Sequence, residues 1–180
     1  MLITQSDRNF YNANKDNYNY IISIVCPDEK ELVEPIHNNH IIIKMWDIDK
    51  KLENKFRTYE PPAGTDVRAL MSQATLMYYD SLRNNKEFKL LVHCDAGLSR
   101  SSAIVLGILW EFSEFIFSSN VDDDWLRPYL DARKQWCKSI LDWDNSVPLC
   151  RYIDGRFNPG IKPNLAILEY FRNNYNYFPW

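Results

Sequence analysis

The sequence predicts a single α/β domain in which a central, mostly parallel sheet is flanked by helices. Two observations carry the prediction. Short β-branched apolar runs alternate with longer segments of helical period, and one strand passes through a short loop into a strongly apolar helix. Size and composition agree: 180 residues, 46% apolar and 25% charged, with five glycines and nine prolines, suit one ordinary core spanning residues 1–180.

Taken in order, Tyr20–Cys26 (YIISIVC) is an apolar, β-branched run stopped by Pro27, and Ile41–Trp46 (IIIKMW) is a second. Both read as buried strands. The polar stretch from Asp47 to Gly64 is too irregular for one periodic element and reads as a long loop closed by Pro61, Pro62 and Gly64. Asp66 then reads as the cap of a helix whose apolar stripe is Val67, Leu70, Met71, Ala74, Met77 and Tyr78. Phe88–His93 is a third strand, and Ser101–Phe117 is a helix apolar enough to be buried against a sheet. Val121–Trp143 opens with acidic residues suited to a helix start and reads as one packing helix through Trp125, Leu126, Tyr129, Ala132, Trp136, Ile140 and Trp143. After Pro159, Gly160 and Pro163 a last helix runs from Asn164 through Tyr170. The motif-bearing core is expected over about 20–117 and a helical C-terminal part over about 121–180.

Several classes of function are disfavoured. A net charge of −3 gives no basic excess for nucleic acid or an anionic membrane, so neither is an expected partner. No apolar run approaches the roughly 20 residues of a membrane span, and MLITQSDRNFYNANKD lacks a basic start followed by an apolar stretch, so a cytosolic setting is expected. Cys26, Cys94, Cys137 and Cys150 form no CxxC pair and are expected to be reduced thiols. The three histidines, His37, His40 and His93, form no metal-binding motif, so no metal or other cofactor is expected.

The chemistry concentrates in VHCDAGLSRSSA, Val92–Ala103. A strand, a short Gly-containing loop and a helix start together aim backbone N–H groups and the positive helix end at one spot, which favours a bound anion. Cys94 opens that loop, where the same potential favours thiolate over thiol, and Arg100 closes it. A planar guanidinium can hold two oxygens of a phosphate, which lysine cannot do in the same way.

HCDAGLSRSS, His93–Ser102, resembles the HCxxGxxR[ST] motif of the cysteine-dependent protein tyrosine phosphatases, in the HCxxGxSRS form of the dual-specificity phosphatases. The order of elements from about Tyr20 to Phe117 is similar to small bacterial and viral members, so a dual-specificity phosphatase-like fold is implied. NPGIKPN, Asn158–Asn164, resembles the PN-containing helix start of some bacterial members. The resemblance implies a two-step hydrolysis of phosphate monoesters through a cysteinyl-phosphate. Cys94 would be the nucleophile. Arg100 and the backbone amides of Asp95, Ala96, Gly97, Leu98, Ser99 and Arg100 would bind the phosphate. His93 would orient and tune the thiol, and Ser101 would donate to the departing thiolate.

The general acid must come from another segment. Asp47 in MWDI resembles the family's position best, with Asp49 as the alternative and Asp66 as a third candidate read mainly as a cap. Asp47 lies 47 residues before Cys94, which implies an enlarged loop between them. From Lys44 to Arg57, the basic Lys44, Lys50, Lys51, Lys55 and Arg57 outnumber Asp47, Asp49 and Glu53, so this stretch would attract a phosphate monoester. Asp95 and Leu98 stand where inositol-lipid phosphatases carry lysines, which disfavours a highly phosphorylated inositol. Phosphorylated tyrosine, serine or threonine of a protein is the implied substrate. The rivals are an RNA 5′-end or phosphoinositide phosphatase with the same mechanism, and a module that binds phosphoproteins without turnover. Cys26 is a candidate redox partner of Cys94, while Cys137 and Cys150 read as structural.

Overall fold

The computed structural model describes residues 1–29, 34–48, 52–53, 58–117, 126–153 and 161–180. Its centre is a four-stranded sheet of β1 (Leu2–Ser6), β2 (Tyr20–Val25), β3 (His40–Lys44) and β6 (Lys89–His93), in the order β1-β6-β2-β3, with every neighbouring pair parallel. β4 (Leu52–Glu53) and β5 (Thr58–Tyr59) form a small antiparallel pair inside the stretch read as a loop. The helices are α1 (Arg8–Asn14), α2 (Gly64–Arg83), α3 (Arg100–Phe117), α4 (Leu126–Ile140), α5 (Trp143–Ile153) and α6 (Leu165–Asn174).

Alternation along β2 and β6 divides the core in two. Tyr20, Ile22, Ile24, Leu90 and Val92 face the main core with α2, α3 and α6. Ile21 and Leu91 face the opposite side, under Tyr11 of α1 and Tyr18. α3 lies against α2, α4, α6, β1 and β6, which explains why its side chains are buried almost all round. Gly107 admits that packing, since a Cβ there would stand 2.0 Å from the Phe171 ring of α6.

Three sequence expectations are corrected. The parallel core begins at Leu2 and not near Tyr20, because LITQS is an edge strand whose Thr4, Gln5 and Ser6 are polar yet buried. Their hydrogen bonds make that burial tolerable: Thr4 Oγ1 donates to Asp142 Oδ2 at 3.0 Å, and Gln5 N donates to Ser146 Oγ at 2.9 Å. The segment read as one helix to Trp143 is two, because Leu141 leaves the helix to bridge Ile3 of β1 and Asp142 Oδ1 accepts from Asp144 N at 3.2 Å to start α5. The acidic start read at 121–125 lies outside the described residues. Asp66 is not the cap of α2 either. Ala63 occupies that position, and Asp66 sits in the first turn, where its charge suits the positive helix end.

Candidate active site

β6 ends at His93 and α3 begins at Arg100, so Cys94 through Ser99 form the connecting loop. Four of the loop's six carbonyls are bonded to segments outside it. Asp95 O accepts from Arg8 N at 3.1 Å, Gly97 O accepts from Gln5 Nε2, Leu98 O accepts from Lys162 N at 3.2 Å, and Ser99 O accepts from Asn164 N at 3.2 Å. In a trans peptide the following N–H points opposite to its carbonyl. The amides of Ala96, Leu98, Ser99 and Arg100 are therefore directed away from those partners, as an anion cradle requires. Gly97 permits the tightest point: its φ is +65°, and a Cβ would come within 2.7 Å of the Ser6 and Asp7 backbone.

Cys94 is buried beside this cradle with Sγ 3.2 Å from Ser101 Oγ. Gln5 decides the direction of that contact. Its Nε2 also donates to Ser101 Oγ, at 3.3 Å, so the serine oxygen accepts there and its own proton is free to point at sulfur. The Arg100 guanidinium is buried as well. Nη1 donates to Met45 O at 2.9 Å and to Cys26 Sγ at 3.4 Å, Nη2 contacts Asp95 Oδ2 at 3.2 Å, and Nε lies 3.6 Å from Asp47 Oδ2. Burial works against its charge, but Cys94, Cys26, Asp47 and Asp95 outweigh that and hold it above its ordinary pKa.

Asp47 follows β3 and reaches the loop: its Oδ1 accepts from Ser99 Oγ at 2.5 Å. Its side chain is 37% exposed, open to an incoming substrate. Asp49 lies outside the described residues, as do Lys50, Lys51, Lys55 and Arg57, while Asp66 stays in the first turn of α2. Asp95, Ala96 and Leu98 are the exposed part of the rim. Asp95 also pairs with Arg8 at 2.5 Å, and Arg8 in turn pairs with Glu29. His93 is fully buried, stacked on Tyr11 with ring centroids 4.0 Å apart, and its Nε2 lies 2.6 Å from Ser23 Oγ. Burial, with Arg8 and His40 adding to it, pushes the His93 pKa down to about 4. A neutral ring can orient the loop but does not act on the thiol as an imidazolium. Burial pushes the Cys26 thiol up despite Arg100, which keeps it protonated.

Gln5 and Arg8 were not found from the sequence, because nothing local to LITQSDR signals a partner 92 residues away. Asn164 had a signal, an Asn after Pro at a helix start. It caps α6 by accepting from Ile167 N at 3.2 Å, and its Nδ2 donates to Ile48 O at 3.2 Å, so one residue ties the cradle to the segment carrying Asp47. The remainder of the NPGIKPN match, Asn158–Gly160, lies outside the described residues.

The motif His93–Ser102 resembles that of the cysteine-dependent phosphatases. Similar solved structures include the human tyrosine phosphatase-like serine/threonine/tyrosine-interacting protein, 17% identical over 94% of this chain and 84% of that one, with a TM-score of 0.48. The Yvh1 phosphatase domain from Chaetomium thermophilum is 14% identical over 95% and 88%, with a TM-score of 0.49. A mouse putative dual specificity phosphatase is 15% identical over 93% and 77%, with a TM-score of 0.46. No protein-family model and no curated protein matches the sequence.

Proposed function

We propose that this chain is a cysteine-dependent phosphatase of the dual-specificity type, acting on phosphorylated tyrosine, serine or threonine of proteins. One observation carries the reading: Cys94, with Ser101 at 3.2 Å, sits beside a cradle of inward amides whose rim holds both Arg100 and the separate carboxylate of Asp47. An anion site alone would need the amides and the arginine. A nucleophile with a hydroxyl partner and an acid beside it suits turnover.

In this reading the phosphate dianion enters the cradle and Arg100 exchanges its carboxylate partners for two phosphate oxygens. Cys94 Sγ attacks phosphorus, the S–P bond forms as the P–O bond to the leaving group breaks, and Asp47 protonates the departing oxygen. Water then attacks the cysteinyl-phosphate and gives a proton to the now ionised Asp47, the S–P bond breaks, and the Ser101 hydroxyl stabilises the thiolate that leaves. Asp95 and Leu98 on the rim support a singly phosphorylated substrate over a polyphosphorylated one, since neither supplies positive charge.

The test is hydrolysis of an aryl phosphate in EDTA by the wild type and by Cys94→Ser. Wild-type turnover with almost complete loss in the variant is expected, because a serine hydroxyl is far less ionised than a thiol at neutral pH. Equal rates would overturn the cysteine mechanism. A panel of phosphopeptides, phosphoinositide vesicles and 5′-triphosphorylated RNA then tests the substrate, and preference for either of the last two would overturn the protein-substrate reading.

A further inference from the structure

Three polar side chains lie on adjacent strands on the α1 face of the sheet: His93 at the end of β6, Ser23 opposite it in register on β2, and His40 at the start of β3. The steps above give no task to Ser23 or His40. Yet Ser23 Oγ lies 2.6 Å from Nε2 of His93 and 2.7 Å from Nε2 of His40, and all three residues are buried beneath Tyr11.

A hydroxyl has one proton, so Ser23 donates to one ring and accepts from the other. The far end of the chain decides which. The backbone N–H of Ile36 donates to Nδ1 of His40 at 3.2 Å, so that nitrogen offers a lone pair, and a neutral His40 carries its proton on Nε2. His40 Nε2–H then donates to Ser23, and Ser23 O–H donates to Nε2 of His93. The proton of a neutral His93 is left on Nδ1. That atom is buried with no hydrogen bond of good geometry, while the Cys94 backbone beside the ring partly offsets the lowering of the ring's pKa.

We propose that Ser23 and His40 are positioning residues for the nucleophile: a directed hydrogen-bond chain, Ile36 to His40 to Ser23 to His93, fixes His93 as the Nδ1–H tautomer beside the Cys94 main chain. The Nε2–H form is the commoner one in water, so the chain selects the less common tautomer. Its catalytic meaning rests on the phosphatase reading, and the tautomer itself does not. A set ring orientation and a set N–H dipole next to the Cys94 peptide act on the chemical step more than on substrate binding.

Long-range proton–nitrogen correlation spectra of the 15N-labelled wild-type chain test the tautomers without any variant. The expected result is a proton on Nδ1 of His93 and on Nε2 of His40, and a His93 found as Nε2–H overturns the proposal. In Ser23→Ala, His93 should shift toward the Nε2–H form. The variant's kcat on an aryl phosphate should fall about tenfold with little change in KM, a smaller loss than the roughly 10⁴ seen where a mis-set histidine is itself the base. Ser23→Thr, which keeps the hydroxyl, should restore both. An unchanged tautomer and kcat in Ser23→Ala overturn the proposal. A wild-type chain with the expected tautomers and no turnover would sink the phosphatase reading and leave this one standing, with alkylation of Cys94 by iodoacetamide, slowed in Ser23→Ala, as its remaining readout.

Discussion

Acidification has a cost that can be worked out from the two buried imidazoles. His93 and His40 share the Ser23 hydroxyl, and burial, the largest cause for each, pushes both pKa values from 6.5 down to about 4. Because the folded values lie below the unfolded one, the unfolded chain binds more protons across that window. Stability is therefore complete above the unfolded value, falls as the pH drops through the window, and levels off for these groups below the folded value. Integrating the linkage, each ring removes about 2 kcal/mol by about pH 5 and about 3 kcal/mol by about pH 4. Each ring's charge opposes the other's, so one cost for each ring taken separately is the firmer figure. Set against a usual stability of about 5–15 kcal/mol, the effect is large. Urea unfolding followed at about pH 7.5 and about pH 5 should show a midpoint lower by about 1 M or more at the acid end, given slopes of about 1–3 kcal/mol/M. His40→Gln, which removes one titrating ring, should flatten the pH dependence. A midpoint that does not move between the two conditions in the wild type would refute the burial argument.

Asp47→Asn should lower kcat on phenyl phosphate by about 10²–10⁴, and far less on a fluorinated coumarin phosphate whose leaving group needs no proton; equal losses on both would remove Asp47 as the acid. Gly97→Ala forces a side chain into left-handed backbone facing Ser6 and Asp7 at 2.7 Å, so both the melting temperature and kcat should fall, and a fully active, stable variant would contradict that contact. Asp95→Asn removes a carboxylate that competes for Arg100, so inhibition by vanadate should tighten about two- to fivefold, the small size reflecting its 43% exposure. Weaker vanadate binding would mean that Asp95 supports the cradle more than it competes with the ligand.

Elements whose signal is local were legible in the sequence. β2, β3 and β6 are runs of β-branched or aliphatic residues, and α2 and α3 repeat their apolar positions at helical spacing. The strand-loop-helix unit that carries Cys94, Gly97, Arg100 and Ser101 was legible for a related reason, since all four lie within one short segment of the chain. β1 was not legible, since Thr4, Gln5 and Ser6 look like surface residues until Asp142, Ser146 and the loop supply their partners. Periodicity also could not divide the helical region at Leu141, because the break is made by pairing with Ile3 at the other end of the chain. Asp47, picked for its place just after a strand despite its long separation from Cys94, lies against the loop through Ser99 Oγ and Arg100 Nε; its role as the acid is the proposal that Asp47→Asn tests. β4 and β5 take up part of that extra length.

The long-range contacts missed by pattern also explain how the site divides into fixed and movable parts. Gln5 and Arg8 hold one side of the cradle, and Lys162 and Asn164 hold the other, all through loop carbonyls. Carbonyls held from opposite ends of the chain leave the inward amides little freedom, so their orientation exists before any ligand arrives. Arg100 is held differently: beside its bond to the Met45 carbonyl, its partners are the carboxylates of Asp47 and Asp95, at 3.6 and 3.2 Å. An entering phosphate can replace those ion pairs without breaking a backbone contact. In the proposed reaction, substrate binding is then an exchange of anions at one guanidinium, and the same exchange would free the Asp47 carboxyl from Arg100 as a leaving group is placed beside it.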